Sequence, residues 1–178
     1  MCLTIIAILP CSANLDATRE IASTYDYAMT PLAKLSISGM ASETELACLA
    51  TGRMCDCDTS LGRNSRQQAT LTRGKSAEDL RRKGWSDTKI QRHFEQLNRA
   101  QNKQKSKPQD LEGWLSFLDA LLASDITPYI GLVIENVAKT SDNAVSTTER
   151  EIVQLARHDL ADALLNMQED VIYQFQIT

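Results

Sequence analysis

Apolar and polar positions alternate along the chain in two distinct periods. Leu3-Thr4-Ile5-Ile6-Ala7-Ile8-Leu9 is a β-branched apolar run stopped by Pro10, which predicts a strand covered on both faces and therefore central in its sheet. Beyond Pro10, Ser12 or Asn14 offers an N-cap. Leu15, Thr18, Ile21, Ala22, Tyr25, Ala28 and Met29 then recur at helical spacing until Pro31. Lys34 to Ser38 alternates as a half-buried strand closed by Gly39, and Glu45 to Thr51 is apolar enough for another.

The second half repeats the alternation of element types. Leu111, Trp114, Leu115, Leu118, Leu121 and Leu122 form the cleanest amphipathic helical pattern, which predicts a helix lying on the core. Pro128 to Ile134 reads as a second doubly covered strand, followed by a polar turn from Thr140 to Thr148. Arg150 to Ala156 fits a strand, Asp159 to Met167 a short helix, and Val171 to Phe175 a closing strand with one face on the core and the other toward water.

Between these halves the periodicity fades and then turns helical. Asn64 to Gly74 reads as a polar linker, and from Ser76 the apolar positions Ala77 and Leu80 precede a Gly84-Trp85-Ser86 break. Ile90, Phe94 and Leu97 then share one helical face, with Ser86 or Asp87 as cap. Asn98 to Lys107 is almost wholly polar, so the helix there projects or frays. These patterns predict a single α+β domain over residues 1–178. Its expected body is a five- or six-stranded mixed or antiparallel sheet with helices mainly on one face, and a basic helical hairpin is inserted at about 75–107.

Charge sharpens the picture of that insertion. The formal net charge is -4, yet Arg63 to Lys107 holds thirteen Lys/Arg against four acids, so the remainder carries -13. A basic module on an acidic body is expected to bind through complementary fields. Arg81, Arg82, Lys83, Trp85, Lys89 and Arg92 are its candidate contact residues. The pattern Ala77-x-x-Leu80-x-x-x-Gly84-Trp85-Ser86-x-x-x-Ile90 also resembles the start of a helix-turn-helix, which would place those cations on phosphates. Lys83 at an inward position and His93 where an aliphatic residue would close the unit make nucleic acid the weaker partner.

Chemistry concentrates at Thr51 to Gly62, where Cys55-Asp56-Cys57-Asp58 follows an apolar run and two glycines bracket the segment. In extended chain Cys55 and Cys57 point one way while Asp56 and Asp58 point the other. Two thiols so placed suit a soft metal or thiol exchange. A closed zinc site needs four ligands, and only Cys2, Cys11, Cys48, His93 and His158 remain to complete one. Cys2, Cys11 and Cys48 adjoin apolar runs and read as small buried hydrophobes. The aspartates are expected to raise the thiol pKa values, and the plainest reading is a tight turn in which they bond to backbone amides with the thiols partly buried; Asp56 and Asp58 are also candidate partner contacts.

Catalytic patterns are missing. The chain has no GxSxG, P-loop or GxGxxG, and neither His93 nor His158 stands beside a nucleophile, so no catalytic residue and no cofactor are expected. Glu169-Asp170 is explained by a helix-to-strand turn. Five cysteines, an odd number, fit a reducing compartment. The run Leu3 to Leu9 lacks a preceding Lys or Arg, and Pro10 sits where a lipobox takes a small residue. A cytoplasmic protein is therefore expected, with no membrane association, since no other stretch nears the roughly 20 apolar residues of a span.

Met1-Cys2 before the first strand, Thr51-Gly52 with Cys55-Asp56-Cys57, Thr59 and Leu61-Gly62, Arg82-Lys83-Gly84-Trp85-Ser86 with Lys89-Ile90, and Glu169-Asp170-Val171-x-Tyr173-x-Phe175 together resemble a family of uncharacterised bacterial proteins with a Cys-Asp-Cys turn. In that family Gly usually follows the second cysteine, where this chain has Asp58. The resemblance implies a bacterial origin and a single domain, and brings no activity. The expectation from sequence is a non-enzymatic protein that docks a protein partner, in its most concrete form an immunity or antitoxin protein neutralising a toxin. A thiol or metal site at Cys55 and Cys57 and a nucleic-acid contact through the basic segment are the alternatives.

Overall fold

Residues 2–32, 41–65, 77–103, 108–136 and 152–176 are described by the computed structural model. Strand β1 (Leu3–Pro10) sits at the middle of a six-stranded sheet of order β2-β3-β1-β4-β6-β5, with β2 at Thr30–Pro31, β3 at Glu45–Leu49, β4 at Tyr129–Asn136, β5 at Ile152–Ala156 and β6 at Ile172–Gln176. Every pairing is antiparallel except β5 with β6, so the sheet is mixed. That parallel pair is joined through the helix Leu160–Leu165, as a parallel connection requires a crossover.

The doubly apolar run of β1 is explained by two cores. Leu3, Ile5, Ala7 and Leu9 face a large cluster with Trp114, Phe117, Leu118, Leu121 and Leu122, while Ile6 and Ile8 face a smaller one with Ala47, Val133 and Ile172. Period-2 alternation sends successive side chains to opposite faces, so a strand buried on both must be apolar throughout. Ile172 in the second cluster corrects the expectation that the outer face of β6 meets only water.

Helices cover the first face. Helix α1 (Leu15–Thr24) starts at Asn14, whose side chain accepts the Ala17 N–H at 3.1 Å, and ends before Asp26, which takes a left-handed φ of 63°. A short helix α2 is described over 60–65. Helix α5 (Pro108–Ala123) lays its apolar stripe on the sheet, where Tyr27 stacks on Trp114 at 4.1 Å between centroids. Helix α6 (Leu160–Leu165) adds Leu160, Ala163 and Leu164.

The inserted hairpin is α3 (Ala77–Arg82) and α4 (Asp87–Lys103), turned at Gly84 with φ 80°. Gly tolerates that left-handed backbone at no steric cost. Leu80 and Ile90 are buried and Trp85 meets the His93 ring edge-on at 5.5 Å, while Lys83 is exposed rather than packed inward. The expected strand at Lys34 to Ser38, most of the 64–74 linker and the 140–148 turn lie outside the described residues. Among the described residues no helix is long and apolar enough to cross a membrane.

Candidate functional site

After Leu49 the chain leaves β3 but keeps following β1 toward its first residue. Ala50 N–H donates to Ile5 O at 3.0 Å, and Asp56 N–H donates to Leu3 O at 2.8 Å. Between them the Ile5 N–H would face nothing on that edge. The Asp56 carboxylate takes it, with Oδ2 accepting from Ile5 N at 2.7 Å and Oδ1 accepting from the Thr51 hydroxyl at 2.7 Å. Asp56 is fully buried, and a buried carboxyl group needs such hydrogen-bond partners.

The next turn locks the segment from the other side. The Asp56 carbonyl accepts from the Thr59 N–H at 3.1 Å and from the Thr59 hydroxyl at 2.7 Å. That hydroxyl in turn accepts the Gly62 N–H at 3.1 Å, so Thr59 is the N-cap of α2. Gly62 is forced by close approach, because a Cβ there would collide with the Asp56 carbonyl. Asp56 bonds chiefly to a distant strand, so the expected local turn of aspartates on neighbouring amides is replaced by a long-range clamp. Asp58 is exposed.

With Asp56 turned into the sheet, Cys55 and Cys57 turn out of it. Their sulfurs are 2.7 Å apart, and Cys57 Sγ accepts the Leu3 N–H at 3.2 Å. That bond brings Cys57 to the start of β1, where Cys2 joins them. The sulfurs of Cys2, Cys55 and Cys57 lie within 4.8 Å of one another. Cys2 is exposed and the other two half-buried. The placement of Cys2 corrects its reading as a small buried hydrophobe; Cys11 is likewise exposed, and only Cys48 is buried.

Hydrogen bonding polarises the trio. The Cys55 thiol is lowered from 9.0 to about 7, first by the hydrogen bond from Cys2, then by the side chain and backbone N–H of Cys57. Cys2 is pushed up to about 11, first because its proton is committed to Cys55 and then by burial. The expectation that the aspartates suppress thiolate formation is therefore corrected at Cys55. The Asp56 carboxyl oxygens are engaged by Ile5 and Thr51, and sulfur and amide donors set the Cys55 thiol instead.

The other candidates stand elsewhere. Arg81 Nε pairs with Asp87 Oδ1 at 2.8 Å across the hairpin turn, and Lys89 Nζ lies 4.2 Å above the Trp85 ring. Arg82, Lys83 and Arg92 are exposed. Over the hairpin, 77–103, seven cations face four acids. His158 is exposed beside Asp159 at 3.3 Å, and His93 packs between Trp85 and Phe94. Glu169 accepts from Asn136 Nδ2 at 3.4 Å, and Asp170 bonds through its N–H to Ile134 O at the turn into β6.

Chemically, three thiols in one small volume can hold a thiophilic ion. Metal–sulfur bonds of about 2.3 Å set sulfurs about 3.8 Å apart, so Cys55 and Cys57 would part by about 1 Å on loading. Cys2 was one of five residues that the sequence left open as a completing ligand, and spacing did not single it out. The signal was available in the topology: if β3 runs antiparallel to β1, the residues after β3 must pass the residue before β1. No protein-family model, curated protein or solved structure matches the chain.

Proposed function

We propose that the protein binds a thiophilic metal ion through Cys2, Cys55 and Cys57. The observation that carries this reading is the convergence of three sulfurs within 4.8 Å from two distant segments. Backbone N–H groups of Leu3 and Cys57 donate to two of those sulfurs, which fixes their orientation toward a common ion. The Asp56 clamp holds the loop in place before any ion arrives, which lowers the ordering cost of binding. Such thiols persist in a reducing compartment, in keeping with a cytoplasmic protein.

Docking of a protein partner, including the immunity or antitoxin form, is the second reading. Trp85 supports it as a half-exposed indole under Lys89, the kind of residue that anchors an interface.

Cadmium titration of the reduced chain tests the metal reading through the thiolate-to-cadmium charge-transfer band. One ion per chain is expected, with the band lost in Cys2→Ser and in Cys57→Ser and kept in Cys11→Ser. A band that survives Cys2→Ser, or no band at all, overturns the reading.

A further inference from the structure

We propose that the ion this site takes is soft and monovalent, copper(I), held in a trigonal set of three cysteine sulfurs. The inference rests on the metal reading above and names its ligand. All five cysteines and both histidines of the chain lie among the described residues, and Cys11, Cys48, His93 and His158 stand outside the group. No fourth sulfur or imidazole therefore completes a zinc tetrahedron.

A hard oxygen ligand is also withheld. Asp56 lies between the two cysteines in sequence, yet both of its carboxylate oxygens already accept hydrogen bonds inside the sheet. Turning it outward would orphan the buried Ile5 N–H and the Thr51 hydroxyl. Among the described residues only the three cysteine sulfurs come together, and a set of soft thiolates with no oxygen or imidazole is donor chemistry that suits copper(I).

The group opens to solvent at Cys2, while Cys55 and Cys57 are half-buried, so an ion can enter and leave by exchanging the Cys2 sulfur first.

The test loads the full-length reduced chain, without oxygen, with copper(I) or with zinc(II), and challenges each form with a chromophoric chelator of that ion. X-ray absorption should show three sulfurs at about 2.3 Å around copper, and zinc should be stripped while copper stays. Zinc that resists its chelator, or copper bound by only two sulfurs, overturns this inference. A cadmium band with no copper retention would overturn it while leaving the metal reading standing; absence of both would remove the metal reading as well.

Discussion

The Asp56 carboxylate accepts the Ile5 backbone N–H at 2.7 Å, so a side chain from the loop fills a rung that the sheet leaves open on the central strand. The same carboxylate takes the Thr51 hydroxyl, and with both oxygens spent it faces away from the two cysteines that flank it. Sheet closure and exposure of the thiols are thus one event.

Removing that carboxylate should be costly. Asp56→Ala leaves a buried N–H and a buried hydroxyl unpaired, and an expected loss of about 3 kcal/mol or more follows from the cost of such orphans. Asp56→Asn should lose about half as much, because its amide oxygen still accepts from Ile5 and the Thr51 hydroxyl can rotate to accept from the amide nitrogen. Urea midpoints of the two variants check the order; equal midpoints would remove the clamp from the account.

Gly62→Ala tests the same loop from the α2 side. The added methyl meets the backbone carbonyl of Asp56, which cannot swing aside as a flexible side chain would. Overpacking of this kind costs about 1–3 kcal/mol. A thermal melt that matches the parent would show that the loop and α2 are not in tight contact.

Cys55 should react as a thiolate near neutral pH. In the reduced, metal-free chain its alkylation by iodoacetamide, followed by peptide mass mapping, should rise through a midpoint near 7 rather than 9.0. Cys2→Ala removes the largest cause of the lowering, so the midpoint should move up. A midpoint that stays put in this variant would assign the lowering to another donor.

Glu135 predicts a dependence of stability on pH. Burial, and secondarily the charge of Asp170, raises its carboxyl above the ordinary 4.5. The native state therefore holds this proton more tightly than the unfolded state. Its stabilisation is complete below the unfolded value and is lost as pH rises through the folded one. Glu135→Gln carries no such loss, so its urea midpoint should exceed the parent's at neutral pH and converge with it in acid. A variant less stable than the parent at neutral pH would show that the charge is compensated in the fold.

Much of the architecture was legible from local pattern. The apolar runs of β1 and β4 announced central strands, and the stripe Trp114, Leu118, Leu121 and Leu122 announced the helix that covers them. The hairpin break at Gly84 was equally visible, since a left-handed turn calls for that residue. The candidate site was half legible: strand-like alternation put Cys55 and Cys57 on one side and Asp56 on the other. Its third cysteine was not, because an apolar neighbourhood in sequence says nothing of which residues lie across an antiparallel pair.

Sequence alone determined what repeats within a few residues: which segments are strands and helices, where they cap and break, and which thiols share a side of the chain. Periodicity carries that information because backbone geometry sets 2.0 and 3.6 residues per repeat regardless of context. Tertiary structure decided what depends on register between distant segments. It brought Cys2 to Cys57 through Leu3, turned the Asp56 carboxyl group onto Ile5, and left the ionisation of Cys55 to sulfur and amide donors. Electrostatic and coordination chemistry act across space over a few ångströms, and only the folded chain specifies which groups fall within that range.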